Sequence, residues 1–102
     1  MDIELDKRGD SLKIIVDGNI DEENGHKFSA SLREAMEMEG LRRVVLDLAT
    51  VRTVSSSGIG KLLNFNRFMG GKGGSVAIEG ISDRLYEQFL EIHLDRVLPI
   101  SK

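Results

Sequence analysis

Val44-Val45-Leu46-Asp47-Leu48, with Ser55-Ser56-Ser57-Gly58-Ile59-Gly60 downstream of it, decides how this chain folds. The first stretch is short, nearly all apolar and rich in β-branched residues, so it reads as a buried strand. The second reads as a helix start, a serine standing just ahead of the apolar-periodic segment Ile59, Leu62, Leu63. Ser57 is the N-cap in this reading. A hydroxyl there lies at the positive end of the helix, where backbone N–H groups lack partners and favour an anion. The fold would therefore favour a phosphate on that serine, which points to a switch before it points to an enzyme.

Working outward, 102 residues suffice for one domain with one core, spanning 1–102. Fourteen Lys and Arg against 17 Asp and Glu give a net charge of -3, with no basic stripe, so nucleic acid is not an expected partner. The chain has no cysteine, which excludes disulfides, zinc–thiolate sites and thiol catalysis. The charged start (Asp2, Glu4, Asp6, Lys7) predicts no signal peptide, and no apolar run is long enough to cross a bilayer. A cytoplasmic protein without membrane insertion is expected.

Ile3 to Lys7 and Leu12 to Val16 read as two strands joined by Arg8-Gly9-Asp10-Ser11. Asp21 reads as the N-cap of a helix whose first turn holds Glu22 and Glu23, with Phe28, Leu32, Ala35 and Met36 on one face and Gly40 at its end. After Val44 to Leu48, a second helix is expected from about Gly58 to Met69, stopped by the glycines of 70–74. Val76-Ala77-Ile78 is a strand. Ser82 caps a third helix bearing Leu85, Phe89, Leu90 and Ile92, and Val97-Leu98-Pro99-Ile100 is an edge strand. Strands alternating with helices after an opening hairpin define an α/β fold: a mixed sheet with an antiparallel hairpin and crossover helices.

Three possible sites reduce to ordinary structure. The segment 70–75 has the residue types of a Walker loop, but its glycines follow a helix and Gly73 and Gly74 separate Lys72 from Ser75. Glu22 and His26 have a metal-site spacing on one helix face, yet no second histidine is near, and the acids suit a solvated helix start. His93 has no catalytic partner in sequence, and the Gly-x-Ser-x-Gly elbow of serine hydrolases is absent. No cofactor, metal or catalytic residue is expected. Ser57 differs from a plain cap in two respects: Gly58 and Gly60 in the following turn each cost about 1 kcal/mol of helix propensity, and that turn holds no acid. Glycines there leave the serine accessible, and the helix dipole is left without an anion.

These residues resemble a known family. Val44–Leu63, with Leu-Asp-Leu, Val51 and Val54, Ser-Ser-Gly-Ile-Gly and Leu-Leu, is similar to the STAS domain of bacterial anti-sigma factor antagonists. Gly18-Asn19-Ile20-Asp21 resembles that family's Gly-x-Leu/Ile-Asp signature, and His93–Ile100 resembles its usual ending. The resemblance implies partner switching. An unphosphorylated antagonist binds a serine kinase that is also an anti-sigma factor, is phosphorylated and released, and is reset by a PP2C-type phosphatase.

The resemblance further implies Ser57 as the acceptor and Asp21 as the acid beside it. Many members carry Asp-Ser-Ser-Gly where this chain has Ser55-Ser56-Ser57-Gly58, which leaves Ser56 and Ser55 as alternative acceptors. The expected partner surface comprises Asp21, Ser56, Ser57, Gly58, Ile59, Gly60 and Lys61. On the expectation that Ile59, Leu62, Leu63 and Asn66 form the inward stripe, Phe65 on its flank and Phe68 opposite extend that surface. The other reading is a STAS subunit of a membrane lipid-transport ABC complex, with a structural serine.

Overall fold

A computed structural model describes residues 1–102. Alternation of apolar and polar residues makes Asp2–Arg8 (β1) and Ser11–Asp17 (β2) an antiparallel hairpin, Arg8 facing Ser11 across a turn at Gly9, whose φ of 60° suits glycine. Arg43–Asp47 (β3) pairs parallel with β2, and Ser75–Glu79 (β4) pairs parallel with β3, in the order β1-β2-β3-β4. The crossovers are the helices Gly25–Met36 (α1) and Ser56–Gly71 (α2). Asp83–Glu91 (α3) and a 3-10 turn at Leu94–Arg96 complete the chain. The α/β class, the hairpin and the crossover helices are as the sequence implies.

Leu12, Ile14 and Val16 alternate onto one face with Val44, Leu46, Val76 and Ile78, and the buried residues of all three helices join them in a single core. The sheet is thus covered on one face. On the other, Val45 and Asp47 are half-buried, and Lys13 Nζ lies 3.7 Å from Asp47 Oδ2. The central strand is therefore one-sided, and its apolar run exceeds what burial requires.

Four expectations are corrected. Asp21 does not cap α1: its Oδ1 accepts the Asn24 N–H at 3.0 Å, closing a separate turn, and α1 begins at Gly25 with Asn24 as an N-cap that makes no side-chain bond. Glu22 and Glu23 thus precede the helix, and Glu22 does not share a helical face with His26. Second, α2 starts earlier and ends later than expected. It stops where Gly73 adopts a φ of 79° and Gly74 packs so closely that a Cβ would lie 2.9 Å from the Arg42 carbonyl oxygen.

Third, the last segment is one bridge rather than a strand. Ile78 N–H donates to the Pro99 carbonyl and Ser101 N–H to the Ile78 carbonyl, each at 2.9 Å, and Pro99 has no N–H with which to extend the ladder. Fourth, Leu90 and Ile92 are exposed. Ser82 Oγ caps α3 as expected, accepting from Leu85 N–H at 3.2 Å, but the helix ends at Glu91 and His93 turns the chain away with a φ of 60°. His93 thus has a backbone role in ending α3. No helix is long and apolar enough to cross a membrane.

Candidate functional site

Two loops leave the same end of the sheet and are joined by backbone bonds. Ile20 and Val54 form a parallel bridge; Ser55 N–H donates to the Ile20 carbonyl at 2.8 Å, and Ile20 N–H donates to the Thr53 carbonyl at 3.1 Å. Asn19 Oδ1 accepts from Arg52 N–H and Thr53 N–H. Asp21, half-buried, therefore follows directly on the residue bonded to Ser55, so the loops of Asp21 and of the serines are brought together as expected.

Ser55 is held extended, with φ -69° and ψ 162°, and its Oγ accepts from Gly58 N–H at 3.1 Å. Ser55, and not Ser57, is thus the N-cap. Three consecutive serines offer three cap registers of nearly equal propensity, and the bridge to Ile20 selects the first. Aspartate and serine cap about equally well, so Ser55 can do the local work of the acid it replaces.

Ser56 and Ser57 are the first two residues of α2, and both are exposed. The Ser57 hydroxyl lies 3.3 Å from Ser55 Oγ, which is already engaged by Gly58. Ser57 is thus an accessible hydroxyl in the first turn of a helix that holds no acid there.

Gly58 is buried, contrary to the expectation that it keeps the serine open. A Cβ on it would lie 2.7 Å from Ile20 Cγ2 and 3.1 Å from Val54 Cγ1, so glycine is needed for α2 to seat against the two loops. Gly60 faces open space. Seating Gly58 inward sets the rotation of α2: its buried residues are Gly58, Leu62, Phe65 and Met69, spaced four, three and four apart.

The expected inward stripe is therefore wrong by part of a turn. Phe65 is 0% exposed and belongs to the core, not to a partner surface. Ile59 and Leu63 are half-buried instead and, with Ser56, Ile92, Leu94 and Val97, line a pocket of about 310 Å³ on the α3 side. Sequence reading missed this pocket because helical periodicity carries Ile92 inward, whereas α3 has already ended. Ile92 is 50% and Val97 54% exposed.

At 100° per residue, Ser57, Lys61, Asn64 and Phe68 share the opposite flank of α2. Phe68 is 40% exposed, with Lys72 Nζ 5.2 Å from its ring centroid. Lys61 is half-buried on the α1 side: a Cβ on Gly25 would lie 3.7 Å from its Nζ. The site is thus a stripe that begins at an exposed serine and ends at an exposed phenylalanine. Asp21→Ala, which removes the bond to Asn24 N–H, is expected to cost about 0.5–2 kcal/mol, read as a lowered denaturation midpoint with an unchanged slope.

The chain belongs to the STAS domain family, whose pattern matches residues 2–102. Among solved structures it is similar to an anti-sigma factor antagonist STAS domain protein from Planctomyces limnophilus, with 21% identity, TM-score 0.84, and coverage of 100% of this chain and 91% of that one. It is also similar to the Bacillus cell fate determinant SpoIIAA in its phosphorylated form, with 16% identity, TM-score 0.74, and coverage of 99% and 92%. A sulfate transporter family protein from Wolinella succinogenes shares the fold as well, with 17% identity, TM-score 0.75, and coverage of 89% and 75%.

Proposed function

We propose that this STAS domain is an anti-sigma factor antagonist that works by partner switching in the cytoplasm, as a binding module and not as an enzyme. Unphosphorylated, it binds a serine kinase that is also an anti-sigma factor; phosphorylation at Ser57 releases it, and a PP2C-type phosphatase restores the binding form. The observation that supports this best is the state of the three serines. Ser55 Oγ is engaged as a cap, whereas the Ser57 hydroxyl is exposed at the start of the docking stripe. Ser56 is exposed as well but borders the apolar pocket of Ile59, Leu63 and Leu94, on the other side of α2 from the stripe of Lys61 and Phe68.

Incubation with the cognate kinase and ATP, followed by mass-spectrometric mapping, is expected to place the phosphate on Ser57. A phosphate on Ser55 or Ser56 with Ser57 unmodified contradicts the proposal. The proposed partner surface comprises Asp21, Ser56, Ser57, Gly60, Lys61 and Phe68, with Ile59 at its α3 edge. Phe68 anchors the far end, and Phe68→Ala is expected to weaken kinase binding by about 1–2 kcal/mol in a domain that stays folded. Titration calorimetry showing unchanged affinity would remove Phe68 from the interface.

A further inference from the structure

We propose that Lys61 is the cation that binds the phosphate of phosphorylated Ser57, because the two residues lie one turn apart on α2 and Lys61 is a half-buried residue whose ammonium has no carboxylate partner. Residues four apart on a helix are neighbours, and an anion N-terminal to a lysine is the favourable order. Lys61 has no carboxylate oxygen within 4.0 Å; the chain's three ion pairs are Arg8–Asp6, Lys13–Asp47 and Lys102–Asp83.

Lys61 faces the start of α1. Nζ lies against Gly25, the first residue of α1, a helix that begins without a side-chain cap and without an acid in its first turn. The first turn of α2 also holds no acid. The start of α2 and the Lys61 ammonium therefore both favour negative charge at Ser57. A phosphate brings about -1.5 to -2 charge and three acceptor oxygens, enough to bond Lys61 while still facing solvent. In this arrangement Lys61 stabilises the released form without opposing phosphate transfer to the hydroxyl.

The inference rests on Ser57 as the acceptor, and its test bypasses the kinase. Phosphoserine is placed translationally at position 57 in the otherwise unchanged chain, in K61Q and in K61R, and the phosphorus resonance is followed by NMR through the second ionisation, near pH 6 for free phosphoserine. That ionisation is expected to lie about 0.3 pH higher in K61Q than with Lys61 present. In K61R it should stay low, and added salt should narrow the difference.

The other charges at this end are Asp21, Glu22 and Glu23 before α1, His26 and Lys27 in its first turn, and Arg52 before α2. They are common to all three proteins and drop out of the comparison. A K61Q protein that titrates with the parent overturns the assignment, as does a K61R protein that titrates with K61Q. Either result leaves the phosphorylation of Ser57 standing, whereas kinase labelling on another serine would remove that reading without touching this measurement.

Discussion

Ser57→Asp is expected to weaken kinase binding by about 2–3 kcal/mol, and Ser57→Ala to hold the complex together in the presence of ATP. Moving a complex from almost fully bound to almost fully free requires about 5.5 kcal/mol of differential affinity. A carboxylate supplies about half the charge of a phosphate, must likewise be desolvated in a tight interface, and is therefore given about half the effect. Both variants should fold like the parent, because Ser57 makes neither the cap bond nor a core contact. Ser55→Ala is the contrasting case, losing the bond to Gly58 N–H. Dissociation measured by surface plasmon resonance decides the matter: an aspartate variant that stays bound like the parent would rule out charge at Ser57 as the releasing signal.

Phe65→Ala is expected to cost about 3–5 kcal/mol of folding stability, a large part of the 5–15 kcal/mol typical of a domain. The ring is wholly enclosed in the core beneath the sheet, between Leu62 and Met69 on the inward side of α2. Its truncation removes apolar burial and leaves a cavity among residues from strands and helices alike. Urea denaturation should show a much lower midpoint, and any loss of kinase binding should follow the fraction unfolded. A variant that remained as stable as the parent but bound the kinase poorly would return Phe65 to the interface.

Phe65, buried, and Phe68, exposed, show what the sequence made legible and what it did not. The strand at Val44–Leu48, the hairpin, the helix order and the Ser82 cap are local signals, and the structure repeats them, with the strand at Arg43–Asp47. The rotation of α2 is not local. A hydrophobicity pattern gives no weight to Gly58, yet this residue must point inward because nothing larger fits between Ile20 and Val54, and the rest of the helix turns with it. The cap register among Ser55, Ser56 and Ser57 has the same origin, being set by a bond to Ile20, 35 positions earlier. Asp21 was legible as a capping side chain but not as the cap of a lone turn, since the chain is still tied to the neighbouring loop at that point. The site was therefore readable as a location, and its internal geometry was not.

The bridge between Ile20 and Val54 continues the parallel sheet past its last regular strand pair and into the loops themselves. Ser55 is bonded directly to that frame, and Ser57 follows two residues later in the first turn of α2. In the proposed switch, a phosphate on Ser57 acts as a label rather than as a lever: it rewrites the charge of the surface at the start of α2. On that reading, the time taken to change state is that of the enzyme adding or removing the group, and the memory of the signal lasts as long as the phosphatase leaves one ester bond intact.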